Sequence, residues 1–176
     1  MVKNLILTGN PGVGKTTLIR EVVLSLKDRV GGFFTQELKE EGKRIGFLLR
    51  TFQGTEGILA QKGLVSSVKF NKYGIDLKVL EGIGLQALKD ALQNRKIVVI
   101  DEIGSMEVLS EPFRQMVLEC FMSPQPVLAT IRLGAQPFTD SVKKMSQTKV
   151  LALTRKNYGP VKQEVKEWLN GASSKC

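Results

Sequence analysis

Not one of the chain's 176 residues is a histidine. Histidine general-base chemistry, Ser-His-Asp triads and imidazole metal sites are thereby excluded together. Cysteine is nearly as scarce: Cys120 and Cys176 are too few for a disulfide framework or a thiolate zinc site, and a reducing cytoplasm is the expected compartment. No apolar run approaches the ~20 residues a membrane-spanning helix needs, and Leu5-Ile6-Leu7 is too short for the apolar centre of a secretory signal, so no membrane partner is expected. Aromatics make up only 6% and do not interleave with basic residues, which argues against the stacking platforms used on single-stranded nucleic acid. Acidic residues are the minority charge, 17 against 26 Lys and Arg, leaving a net +9. That excess suits an anionic ligand without choosing between nucleotide and nucleic acid. The cations are dispersed (Lys39, Lys43, Arg44, Lys143, Lys144, Lys162), as on a solvated surface.

What is present is more telling. The run Gly9-Asn10-Pro11-Gly12-Val13-Gly14-Lys15-Thr16 follows an apolar strand-like stretch and precedes Thr17-Leu18-Ile19-Arg20, which begins a helix. It matches the phosphate-binding pattern GxxxxGK[ST] in its strand-loop-helix context. Glycines let successive backbone N–H groups turn inward on a phosphate, and the following helix N-terminus adds partial positive charge. Lys15 is expected to reach the β- and γ-phosphates and the Thr16 hydroxyl to sit on Mg²⁺.

Strand and helix signals alternate, the pattern of a parallel sheet covered by helices. Residues 3–8 read as a strand, 16–27 as a helix and 31–35 as a strand. Helices are expected at 78–94, from Ser110-Glu111-Pro112 to Ser123-Pro124, at 135–145 and at 156–169, with strands at 97–100, 127–131 and 149–153. Between about 37 and 77, short β-like pieces (45–52, 58–59, 65–70) are separated by Glu41-Gly42-Lys43, Gln53 to Gly57 and Asn71-Lys72-Tyr73-Gly74, which is hairpin chemistry. The expected fold is an α/β P-loop NTPase: a doubly wound, mostly parallel sheet flanked by helices with a small antiparallel hairpin insertion. A single domain over 1–170 and a flexible tail at 171–176 complete the expectation.

The β-branched run Ile97-Val98-Val99-Ile100 ends in Asp101-Glu102. A carboxylate at the C-terminal end of a neighbouring parallel strand can reach the Mg²⁺ held by Thr16, a role that falls to Asp101. Glu102 is then placed to orient and deprotonate a water in line with the γ-phosphate, and is the expected catalytic base beside Lys15. Thr35 and Glu37, near the crevice, are candidates for positioning metal-bound water or substrate, whereas Phe33, Phe34 and Phe47 read as core.

Taken with Gly32-Phe33-Phe34-Thr35-Gln36-Glu37, Arg44-Ile45-Gly46-Phe47, Asp101-Glu102-Ile103-Gly104-Ser105-Met106-Glu107, Ala129-Thr130-Ile131 and Leu153 to Asn157, the phosphate loop resembles the THEP1 nucleoside-triphosphatase family over nearly the full length. The resemblance implies a mixed sheet and slow Mg²⁺-dependent hydrolysis of ATP, GTP and other nucleoside triphosphates, with broad base tolerance. Mg²⁺ is the implied cofactor, nucleoside triphosphates the partners and a monomer the working state. The expected nucleotide site comprises Gly9, Asn10, Pro11, Gly12, Val13, Gly14, Lys15, Thr16, Thr17, Ile100, Asp101, Glu102, Ile103, Gly104, Asn157 and Tyr158. Family members often carry Lys where this chain has Ser105, and Arg where it has Tyr158. Tyr158 either stacks on a base or is a half-buried aromatic at a helix start, with Arg155 or Arg132 as replacement charge. Two rivals stay open at this point: a nucleotide or nucleoside kinase, and a nucleic-acid-associated ATPase suggested by the +9 charge.

Overall fold

Strand and helix alternate along the chain as the hydrophobic periodicity predicts. In the computed structural model, which describes residues 1–173, the elements run β1 (Asn4–Gly9), α1 (Lys15–Val23), β2 (Val30–Glu40), β3 (Lys43–Thr51), β4 (Glu56–Lys62), β5 (Lys69–Phe70), β6 (Tyr73–Ile75), α2 (Leu77–Val79), α3 (Leu85–Gln93), β7 (Ile97–Ile103), α4 (Glu111–Met122), β8 (Val127–Arg132), α5 (Pro137–Lys143), β9 (Thr148–Ala152) and α6 (Tyr158–Ser173). The strands form one sheet in the order β5-β6-β4-β3-β2-β7-β8-β1-β9. Pairings among β2, β7, β8, β1 and β9 are parallel, and those among β2 to β6 are antiparallel.

Period-two alternation explains why helices cover both faces of the parallel half. Along β1, Leu5 and Leu7 join one core with α1 and α6, while Ile6 joins the other with α3 and α4. Along β7, Ile97 and Val99 point to the first core, Val98 and Ile100 to the second. All seven side chains in β1 and β7 named here are at most 1% exposed. Gly32 lies in β2 opposite Val99 of β7 at φ +105°, where a Cβ would drive into the Val99 carbonyl, so only glycine lets these strands pair.

The antiparallel segment is a continuation of the main sheet, because β2 runs on past the crevice to Glu40 and turns through Glu41 (φ +48°) and Gly42 (φ +76°) into β3. Strand β2 runs to Glu40 and β7 to Ile103, beyond the expected 31–35 and 97–100, Glu56 and Gly57 open β4 where a turn was expected, and only Lys69–Phe70 of the expected piece 65–70 is strand. Four further differences bear on packing. Helix α1 stops at Val23 and tightens into a 3₁₀ turn over Leu24–Arg29, leaving Leu24 exposed. Tyr73 and Gly74, expected in a turn, belong to β6: the Tyr73 ring meets Phe47 edge-on at 5.5 Å and its hydroxyl accepts from Arg44. Between α2 and α3 the helix widens to a π turn over Leu80–Gly84, and Gly84 lies against Leu49. Finally, α6 continues through Ser173 with Ala172 buried against the α1 side, so residues 171–173 are helical where a flexible tail was expected. The rest of that expected tail, residues 174–176, lies outside the described residues.

Ser110 caps α4 as expected, its hydroxyl accepting from the Phe113 N–H at 3.2 Å, with Pro112 in the first turn.

Candidate active site

Strand β1 is buried throughout and delivers the chain to Gly9 at the C-terminal edge of the sheet. The loop then bends through Gly12 (φ +77°) and Gly14 (φ +101°), both left-handed, and α1 begins at Lys15 with the Leu18 N–H bonded to the Gly14 carbonyl at 2.8 Å. Leu153 seals the outer side: its N–H donates to the Thr8 carbonyl at 2.7 Å, and a Cβ on Gly9 would lie 2.5 Å from its oxygen. Lys15 is buried and its ammonium folds back onto the Gly9 and Asn10 carbonyls at 2.9 and 3.3 Å. Asn10, Pro11, Gly12 and Thr17 are exposed; Val13, Gly14 and Thr16 are half-buried.

Between Ile100↔Ala129 and Ile103↔Ile131 the β7–β8 register slips, so that Asp101 and Glu102 together stand opposite Thr130. Such a bulge turns carboxyl groups out of the ladder at the sheet's edge. The Asp101–Glu102 peptide is cis. Asp101 is 1% exposed; its Oδ1 accepts from the Thr130 hydroxyl at 2.6 Å, the nearby Thr16 hydroxyl favours its charged form, and Oδ2 has no hydrogen-bond partner among the described residues. Burial pushes its pKa up to about 6 against these hydrogen bonds. Glu102 is likewise raised by burial, and the charges of Lys15 and Arg132 pull it back.

A third carboxyl group escaped assignment in the sequence. Glu107, in the 3₁₀ turn Glu107–Leu109, is 3% exposed, and its Oε2 accepts the Gly104 N–H at 3.1 Å. Burial, with the charge of Glu102 beside it, pushes its pKa up to about 8. Gly104 lies between the two: a Cβ there would stand 2.9 Å from Glu107 Oε2 and 3.2 Å from the Glu102 carboxyl. The sequence signal was a carboxylate five residues past Glu102, which periodicity alone cannot place.

Several expected site residues take other positions. Ile100 and Ile103 are fully buried in the core, so their side chains do not line the crevice. Asn157 spends its side chain on the turn before α6, accepting from the Thr154 N–H at 2.7 Å and donating to the Ala152 carbonyl at 2.9 Å. The Tyr158 ring flanks the phosphate loop, 3.2 Å from where a Gly14 Cβ would be, and its hydroxyl donates to Glu21 at 3.1 Å. Thr35 follows Phe34, the partner of Asp101, and stays near the crevice. Glu37 does not: its carboxylate pairs with Arg44 at 2.9 Å and Lys39 at 3.2 Å along the hairpin. Phe33 and Phe34 are core as expected, and Phe47 packs half-buried against it.

A family model described as NTPase matches residues 4–166. The nucleoside-triphosphatase THEP1 of Thermotoga sp. (strain RQ2) is 43% identical over 161 residues, 92% of each chain. The chain belongs to the THEP1 nucleoside-triphosphatase family. Its members reach beyond bacteria: the mouse cancer-related nucleoside-triphosphatase homolog is 35% identical over 89% of this chain and 91% of that one. The THEP1 crystal structure from Aquifex aeolicus superposes with a TM-score of 0.84 at 31% identity, covering 92% of this chain and 96% of the other. As a THEP1-family chain the protein is a nucleoside-triphosphatase, an enzyme that hydrolyses nucleoside triphosphates.

The THEP1-family site also has a donor set suited to Mg²⁺. Asp101 offers a buried, unpartnered Oδ2 near the Thr16 hydroxyl, and this carboxylate and hydroxyl are hard oxygen donors of the kind that would hold such an ion. Among the described residues no group of three or more Cys, Asp or Glu could hold a metal ion by itself.

Proposed function

We propose that the chain hydrolyses ATP, GTP and other nucleoside triphosphates to the diphosphate and phosphate, with Mg²⁺ as cofactor, slow turnover and broad base tolerance. The observation that carries this reading is the Glu102 carboxyl: raised by burial, next to Lys15, and engaged in no protein hydrogen bond among the described residues. A carboxylate whose pKa lies above its ordinary range is a better general base near neutral pH.

In this reading the backbone N–H groups of residues 9–16 and the N-terminus of α1 receive the β- and γ-phosphates. Lys15 exchanges its two loop carbonyls for phosphate oxygens. Asp101 and Thr16 would hold Mg²⁺, which would supply positive charge to neutralise the phosphates. Thr130 fixes the Asp101 rotamer through its 2.6 Å bond. Glu102 orients the attacking water and accepts its proton.

Slow turnover is supported by the exposure of Asn10, Pro11 and Gly12. Backbone N–H dipoles facing water stabilise a transition state less than the same dipoles in an enclosed site. Broad base tolerance is supported by the exposed Thr154, Arg155 and Lys156 beside the loop, which enclose no base. Phosphate release from ATP, GTP, CTP and UTP, measured with Mg²⁺ and with chelator and without any acceptor, tests the reading. Comparable release from all four that stops with chelator is expected. Release from one nucleotide only, or phosphate appearing on an added nucleoside, would overturn it.

A further inference from the structure

Strand β8 lies between β1 and β7, so the residue at its C-terminal end is delivered to the crevice between the phosphate loop and the Asp101-Glu102 pair. That residue is Arg132, in register with Gly9. Four other arginines are committed elsewhere: Arg44 pairs with Glu37, Arg50 with Glu56, Arg114 donates to the Val108 carbonyl, and Arg20 stacks on Phe34 at 5.0 Å. Arg29 and Arg95 precede β2 and β7, at the opposite end of the sheet, and Arg155 lies in the turn after the edge strand β9. Arg132 is exposed, makes no ion pair among the described residues, and gives one long hydrogen bond, 3.4 Å to the Ser105 hydroxyl. Its charge nevertheless reaches Glu102. A planar fork of five N–H donors with one long contact, at the mouth of an anion site, is matched to phosphoryl oxygens.

We propose that Arg132 is a catalytic residue that grips the γ-phosphoryl oxygens in the transition state, an arginine finger supplied by the chain itself. The proposal rests on the reading of the chain as a hydrolase working through Lys15 and Glu102. As the water oxygen bonds to the γ-phosphorus, the bond from phosphorus to the β,γ-bridging oxygen breaks and its electron pair leaves on the diphosphate. The water proton passes to Glu102. Negative charge spread over the three equatorial oxygens is met by Arg132, which leaves Ser105, and by Lys15. Ser105 acts as the resting partner that keeps the guanidinium over the crevice.

The test compares the parent chain with Arg132→Ala, Arg132→Lys and Lys15→Ala. Two readouts are needed: steady-state phosphate release, and calorimetric affinity for a nucleoside diphosphate with Mg²⁺, with and without aluminium fluoride as a mimic of the transferring phosphoryl group. Arg132→Ala is expected to lower kcat by about 10³-fold, to leave KM and plain diphosphate affinity within a few fold, and to lose the affinity gained with fluoride. Arg132→Lys should restore only part of kcat, since a point charge cannot bridge two oxygens. Because the side chain is exposed, the unfolding midpoint should not move. Parental kcat and fluoride effect in Arg132→Ala, with both lost in Lys15→Ala, would overturn the role of Arg132 and leave the hydrolase reading intact. An effect on KM alone would also overturn it, making the residue a ground-state binder. A parent chain that neither binds nor hydrolyses triphosphates would remove both readings together.

Discussion

Glu107→Gln should stabilise the protein, and by an amount that grows with pH. In the fold the Glu107 carboxyl is 3% exposed, beside Glu102, and its pKa rises from the ordinary 4.5 to about 8. The folded state therefore holds a proton that the unfolded chain has released at neutral pH. The stability linked to this group is fully present below about pH 4.5 and is lost as pH rises through about 8. At pH 7 the cost is the 2.5 units between pH 7 and 4.5, each worth 1.36 kcal/mol, or about 3 kcal/mol. Glutamine carries no such cost, and its carbonyl can still accept the Gly104 N–H that Glu107 accepts at 3.1 Å. For a chain of this length 1 kcal/mol moves the midpoint by roughly 2–4 °C, so the variant should melt about 6–12 °C above the parent at pH 7. The assay is thermal unfolding of both proteins from pH 4.5 to 8.5, read as the difference between them so that other titrating groups cancel. A difference near zero at the acid end that widens steadily to pH 8 is expected. A constant difference across that range would refute the burial and charge crowding ascribed to Glu107.

Other substitutions separate scaffold from chemistry. Gly32→Ala, at φ +105° with its Cβ aimed into the Val99 carbonyl, should destabilise by about 3 kcal/mol or more in urea titration; a loss under 1 kcal/mol would contradict the close approach of β2 and β7. Thr130→Val removes the 2.6 Å donor to Asp101 and should raise that carboxyl further above about 6, weakening Mg²⁺-dependent nucleotide binding most at mildly acid pH, as read by calorimetry from pH 5.5 to 8. Tyr158→Phe loses only the hydroxyl bond to Glu21 and should stay within about 1 kcal/mol of the parent in stability, whereas Tyr158→Ala removes the ring flanking Gly14 and should raise KM. Equal KM values for the two Tyr158 variants would show that the ring does not support the loop.

The phosphate loop was legible because its backbone demands glycine at Gly12 and Gly14 and a cation at Lys15, and those demands are local. The same holds for β7, whose unbroken β-branched run reads as a strand buried on both faces, and for the Ser110 cap of α4. Features set by distant partners were not legible. Tyr73 becomes strand only because Phe47 and Arg44 receive its ring and hydroxyl, and α6 extends past residue 170 because Ala172 finds a buried place. The nearness of Arg132 to Glu102 depends on β8 slotting between β1 and β7, a matter of sheet order. Glu107 gave a motif but no position, since its burial follows from the turn at residues 104–109. Glu37 shows the converse error: proximity along β2 suggested the crevice, yet the strand carries it onto the hairpin, where Arg44 and Lys39 claim it.

The most direct measurement is single-turnover phosphate release from Mg²⁺-ATP by Glu102→Gln beside the parent, with ATP affinity determined on the same samples. Burial of Glu102 next to Lys15 predicts that the variant binds ATP within a few fold of the parent and releases phosphate at least about 10²-fold more slowly. A variant that binds and hydrolyses at the parental rate would contradict the assignment of Glu102 as the base that activates water.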